Sequence, residues 1–283
     1  MNQTMFERIN RLQIGSGILE YGVVGAPDAP ALLLLHAIRN TKQLFAGVIP
    51  ELSAKYRVIA VDLRGHGGSV AVEPFTFEQI VNDLVSLLDA EKLEQATIVA
   101  ASFAAVPAQM LAVREPQRVS SLILLDGGYY SLGEVPGFEL DSVVSRLDAT
   151  RFASVENAER QFAERYSAHW MPAGWMKEEL VQAEEDSYRY RLPKAAFAAY
   201  FQEYTTHSTH QLFSQLTCPV LLLLADEMLL PDEEQRRFYQ AAAARYRAAV
   251  PQAKVKTISG SQHLLMVTNP QETLEEINQF LNK

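Results

Sequence analysis

The sequence predicts an α/β protein with an eight-stranded, mostly parallel sheet. Three observations carry this: short apolar runs recur along the chain, helical patterns separate them, and the alternation stops over residues 130–215. The runs at 31–35, 57–61, 96–100, 122–125, 220–224 and 254–258 read as parallel strands. A strand covered by helices on both faces has no reason to alternate apolar with polar residues. Helical spacing over 75–93 and 103–115 supplies the βαβ units of a doubly wound sheet. An N-terminal pair, 12–14 and 18–24, is separated by Gly15, Ser16 and Gly17 and reads as a hairpin at the sheet edge. Pro231 followed by Asp232, Glu233 and Glu234 opens a helix, since carboxylates favour the positive end of its dipole. Asn269 as cap, Pro270 in the first turn and Glu272 in a capping box start the last helix. His263 therefore lies in the loop before it.

Between 130 and 215 the chain is helical and rich in aromatic residues, Trp170 and Trp175 among them, which reads as an insertion over the sheet. The expected organisation is a core of 1–129 and 216–283 with an inserted helical cap of 130–215. A length of 283 residues suits one such domain. With 48% hydrophobic and 21% charged residues, the composition is that of an ordered globular protein. The net charge of -9 argues against nucleic acid, whose binding needs clustered Lys and Arg. The single cysteine, Cys218, excludes an internal disulfide and reads as buried core ahead of Pro219. The first ten residues hold no apolar leader and no run is long enough to span a bilayer, so a cytoplasmic location is expected. Oligomeric state stays open, a homodimer included.

The segment IVAASFAA, 98–105, runs from a strand into a helix with Ser102 at the turn, the setting of a nucleophile elbow. Backbone meets backbone at such a turn, so positions two away must be small; Ala100 and Ala104 stand where GxSxG has glycine. Around it lie LLLLHAIRN, RVIAVDLRGHGGS and the late SGSQHLLMVTNP. In this order the motifs resemble the α/β-hydrolase family, in its branch of small capped esterases, lactonases and C–C hydrolases.

The resemblance implies Ser102 as nucleophile and His263 as base. A serine hydroxyl is a weak nucleophile at neutral pH and needs an imidazole to take its proton. It also implies an oxyanion hole from the backbone N–H groups of Phe103 and Ile38. His36-Ala37 replaces the family's His-Gly, which bears on how that loop turns. Ala37, Arg39, Tyr129, Trp170 and Trp175 are the candidate substrate contacts. For the acid behind the histidine two placements exist. LLLLADEMLLPD after the seventh core strand has Met228 where the aspartate would align, with Asp226 and Glu227 nearby; LILLDGG places Asp126 before two glycines. Asp126 ranks first, Glu227 or Asp226 second.

His66, in RGHGGS, reads as a turn residue and not as part of a dinucleotide fingerprint. His169, His207 and His210 fall in the insertion without metal-ligand spacing. Neither metal nor cofactor is expected. The expected function is a serine hydrolase acting on an uncharged, apolar ester, lactone or thioester. Competing readings are C–C bond hydrolysis or a lyase on the same fold, a small-ligand receptor with a vestigial triad, and cofactor-free oxygenation.

Overall fold

Residues 5–70, 73–183, 186–207 and 209–282 are described in a computed structural model. The start of the segment read for a leader, residues 1–4, lies outside them. Ten strands are found among the described residues: β1 (Arg8–Ile14), β2 (Gly17–Val24), β3 (Ala31–Leu35), β4 (Arg57–Val61), β5 (Ala96–Ala101), β6 (Val119–Leu125), β7 (Leu180–Gln182), β8 (Tyr188–Tyr190), β9 (Val220–Leu224) and β10 (Ala253–Thr257). Eight of them form one sheet in the order β1-β2-β4-β3-β5-β6-β9-β10. β1 pairs with β2, and β2 with β4, antiparallel; the other neighbours run parallel. The predicted mixed, mostly parallel sheet is therefore the observed one.

The period of two explains the core. Leu33 and Leu35 of β3 join one apolar cluster with Ile98, Ala100, Leu122 and Leu124. Leu32 and Leu34 join a second with Val99, Ala101, Ile123 and Leu125. Each face is covered, so both sets of side chains are buried and the strands read as unbroken apolar runs. The helices are α1 (Ile49–Ser53), α2 (Phe77–Ala90), α3 (Ala105–Arg114), α4 (Leu140–Asp148), α5 (Val155–Tyr166), α6 (Lys194–Thr206), α7 (His210–Phe213), α8 (Glu233–Ala249), α9 (Leu265–Thr268) and α10 (Pro270–Leu281). Ile80, Leu84 and Leu87 of α2 and Leu111 of α3 cover the first face; Leu52 of α1 and Leu274 and Ile277 of α10 cover the second.

Local chemistry sets several boundaries. Thr76 caps α2 by accepting from the Gln79 N–H at 3.2 Å, and Asp232 caps α8 from Gln235 at 2.9 Å. Asn269 precedes α10, yet its side chain makes no capping bond; Pro270 and Glu272 in the first turn mark that start. β1 begins at Arg8, four residues before the predicted run, because its register with β2 and not burial holds its polar first half. Cys218 is buried, and burial pushes its thiol up to about 11.

The segment between β6 and β9 is not wholly helical. Beside α4 to α7 it contains the antiparallel pair β7 and β8, and Phe152 bridges to Tyr188. Phe152, Trp175, Met176 and Leu180 form a small apolar cluster of the segment's own. No helix among the described residues is long and apolar enough to cross a membrane.

Candidate active site

β5 ends at Ala101, and the next residue, Ser102, takes φ +56° before the chain winds into α3. That left-handed conformation is costly for a residue with a Cβ and occurs where the surroundings over-determine it. Ala100 and Ala104 are fully buried on either side, as a turn this tight requires. Asp126, directly after β6, is also left-handed at φ +50°. Its N–H donates to the Leu223 carbonyl at 2.8 Å, and its Oδ1 accepts from the Ala225 N–H at 3.0 Å. Gly127 comes next because no side chain fits: a Cβ there would stand 2.1 Å from the Ser102 carbonyl oxygen. The two glycines thus seat the Asp126 loop on the serine turn.

His263, in the loop before α9, joins the two. Its Nδ1 lies 2.7 Å from Asp126 Oδ2 and its Nε2 2.8 Å from Ser102 Oγ. An ionised carboxylate only accepts, so Nδ1 carries the proton and Nε2 is left free to accept from the serine hydroxyl. The His263 side chain is 43% exposed and that of Asp126 11%, which leaves the reacting end open and the anchoring end enclosed. Asp226 and Glu227 are bonded elsewhere: Asp226 accepts from the N–H groups of Met228 and Gly260, and Glu227 from the Gln240 side chain.

Two backbone N–H groups, those of Phe103 and Ile38, are the expected oxyanion donors. Phe103 opens a helical turn, where N–H groups lack an intrahelical acceptor. The Ile38 N–H has no acceptor among the described residues. The loop carrying it is braced by His36, whose Nδ1 donates to the Ala37 carbonyl at 2.8 Å while Nε2 accepts from Leu63 N–H at 3.0 Å. Burial holds His36 neutral by pushing it down to about 3. Ala37 is itself buried and conventional in backbone; the left-handed residue of this loop is Arg39, at φ +67°.

The same loop is tied to the inserted segment. Asn40 donates to Glu179 Oε1 at 3.0 Å. Lys42 lies wholly buried between Asp62, Glu20 and Glu178, at 2.7, 3.0 and 2.5 Å. Glu20, Asp62 and Glu178 are spaced as ligands of a cation, and the Lys42 ammonium is the cation they hold. Burial alone pulls the ammonium down; Asp62 and Glu178 outweigh it, so it titrates above its ordinary value. Burial drives Glu179 the other way from an ordinary carboxylate, up to about 8, against the Asn40 hydrogen bond and the Arg39 charge. This cluster left no mark in the sequence, because its members come from four separated segments and a loop lysine ordinarily faces water.

Of the other candidates, Tyr129 lines a cavity of about 720 Å³ with Asp126, His263, Arg165, Tyr166 and Tyr239. The two tryptophans lie apart from it. Trp175 is buried in the inserted segment's own cluster, and Trp170 donates its indole N–H to the Val267 carbonyl and packs on Gly47. His66 is buried against His36, Phe103 and Tyr200, with Nδ1 on the Arg64 carbonyl. His210 pairs with Glu134, and His169 is exposed.

Comparison with known proteins identifies the fold family. A family model described as alpha/beta hydrolase fold matches residues 30–270. The chain is 36% identical over 118 residues to proline iminopeptidase PfmaB of Pestalotiopsis fici, covering 40% of this chain and 42% of that protein. It is 26% identical over 167 residues to 3-oxoadipate enol-lactonase 2 of Acinetobacter baylyi, covering 58% and 59%. The matches thus span about half the length of these curated relatives. The solved structure of E-2-(acetamidomethylene)succinate hydrolase superposes with a TM-score of 0.81 over 98% of this chain and 99% of that one, at 23% identity. The enol-lactonase of Burkholderia xenovorans gives 0.72 over 97% and 100%, at 17%. At such identities the structural likeness concerns the fold.

Proposed function

Because the chain belongs to the alpha/beta hydrolase fold family, we propose that it is a serine hydrolase cleaving a carboxylic ester, lactone or thioester through an acyl-enzyme on Ser102. The observation that carries this reading is the hydrogen-bonded line from Ser102 through His263 to Asp126, with the serine held at φ +56°. In this reading residues 130–215 cap the site, and the substrate lies between cap and sheet.

The chemistry follows from the donors and acceptors. His263 Nε2 takes the Ser102 proton as Oγ attacks the carbonyl carbon, and Asp126 stabilises the imidazolium that forms. The carbonyl oxygen becomes an oxyanion facing the N–H groups of Ile38 and Phe103; removing one such donor typically costs about 10²–10³ in rate. Collapse breaks the bond to the leaving alcohol or thiol, which receives the proton from His263 Nε2. Water then enters, His263 takes its proton, hydroxide adds to the acyl carbon, and Ser102 leaves with that proton returned. The cavity of about 720 Å³ reaches His263 and Asp126 and supports entry of water and departure of product from that flank.

The test is labelling by a fluorophosphonate and turnover of p-nitrophenyl esters of graded chain length, beside Ser102→Ala. Label on the peptide carrying Ser102, with turnover lost in the variant, is the expected result. A folded protein with neither label nor turnover would overturn the reading in favour of a ligand receptor. Cleavage only of a C–C bond in a 1,3-dicarbonyl compound would move the reaction class.

A further inference from the structure

Arg39 is a cation without a counterpart. It follows Ile38 in the loop after β3, is partly buried, and makes no ion pair and no hydrogen bond among the described residues. Its Nε is buried with nothing to donate to. A guanidinium offers five N–H donors in a planar fork, and leaving them unused where water is scarce is unfavourable. The side chain has one aromatic neighbour: its Cζ stands 4.2 Å from the centre of the Tyr190 ring, a cation–π contact. The backbone beneath it is left-handed at φ +67°, a strained state of the kind that gathers at ligand clamps.

The surroundings are also positive. Arg39 and Tyr190 line a cleft of about 30 Å³ together with Arg189 and Lys194. Arg189 bonds to the Tyr190 carbonyl, and Lys194 pairs with Asp148, the one acid in that lining. Leu147, Leu192 and Phe197 supply the apolar wall. The space holds about two water-sized positions, the footprint of two carboxylate oxygens. Glu179 does not neutralise Arg39. No ion pair joins them, Glu179 Oε2 is buried without a partner, and burial raises that carboxyl to about 8, which favours its neutral form.

We propose that Arg39 and this cleft form a subsite for a carboxylate carried by the substrate, at the end of an apolar chain attached to the reacting carbonyl. The inference rests on the hydrolase reading above and replaces the uncharged substrate expected from the sequence with an acidic one. The net charge of -9 does not oppose it, because the local field of the cleft decides the encounter at close range. Arg39 directly follows Ile38 in the chain, so the proposed anion site and the proposed oxyanion donor belong to one loop, and the chain length a substrate needs to reach both is what the experiment reads. A bidentate guanidinium–carboxylate pair supplies register as well as attraction.

The experiment compares p-nitrophenyl monoesters of succinic, glutaric and adipic acids with the neutral butyrate, valerate and hexanoate esters. At one chain length the acid ester should exceed its neutral match in kcat/KM by about tenfold or more, the effect of one charge-assisted pair. Arg39→Gly, which removes the fork and relaxes the left-handed backbone, and Arg39→Met should each lower that ratio at least about tenfold. Arg39→Lys should keep part of it. A ratio at or below unity at every length, or one unchanged in both variants, would overturn the subsite. If no ester turns over, the hydrolase reading fails first, and calorimetry with glutarate and adipate decides the subsite separately. Binding to the wild type that is lost in Arg39→Gly sustains it; no binding to the wild type ends it.

Discussion

The protein holds two clusters of charged side chains near the carboxyl ends of its central strands, and they differ in how much water reaches them. Around Lys42 the centre is enclosed: the lysine and Asp62 side chains are 0% exposed and Glu20 8%, each charge meets a partner, and of the three acids Glu178 alone reaches water, at 39%. Along Ser102, His263 and Asp126 the enclosure is one-sided, with the histidine 43% exposed and its carboxylate 11%. A closed cluster contributes to holding the loop after β3 against the inserted segment through Glu178. An open one has a free end at which a proton can be exchanged. The contrast predicts that the first governs stability and the second activity.

Substitutions can break this separation if it is wrong. The largest effect is expected for Ser102→Ala, which should lower kcat by about 10⁶ on any ester the wild type cleaves, measured against an unchanged melting curve. Asp126→Asn should cost about 10⁴, because an amide no longer fixes the proton on Nδ1 of His263. A pH–rate profile showing an altered histidine titration would place the loss there. On the closed side, Lys42→Met should destabilise the fold by about 3–5 kcal/mol in denaturant titrations, since it leaves Asp62 buried and uncompensated. A melt within experimental error of the wild type would show the network to be dispensable. Ser102→Gly should abolish activity while stabilising the protein by about 1 kcal/mol, through release of the left-handed strain.

The smallest effect sharpens the contrast between Lys42 and its neighbour Glu179, whose carboxyl is raised to about 8 by burial. Between the ordinary carboxylate range and pH 8 the folded protein holds a proton that the unfolded chain has released. Stability from this group is therefore present at low pH and lost as pH rises through that window. Melting temperatures between about pH 5 and pH 9 should fall more steeply for the wild type than for Glu179→Gln. Parallel curves would mean that Glu179 is ionised in the fold.

How much of this could be read from the sequence depends on how local each signal is. The strands β3, β5, β6 and β9 were legible because they are buried on both faces and so spell themselves as unbroken apolar runs. Ser102 was legible through the small residues that a tight turn demands, and Asp126 through Gly127 and Gly128. The pair β7 and β8 was not, because three-residue strands carry too few positions for a period of two to emerge. Nor was the contact of Asn40 with Glu179, which lies 139 positions away in the chain. The aromatic residues of the inserted segment misled in a different way: Trp175 packs its own segment and does not reach the cavity beside His263. Composition shows that a segment has apolar surface to bury, without showing against what.

Gly127 carries one more consequence. With room for no atom between it and the Ser102 carbonyl, the turn after β5 and the turn after β6 behave as a single rigid casting. A side chain at position 127 would press on the Ser102 backbone and so shift the serine and the Asp126 loop against each other. A redesign that seeks a roomier site therefore has to leave position 127 as it is.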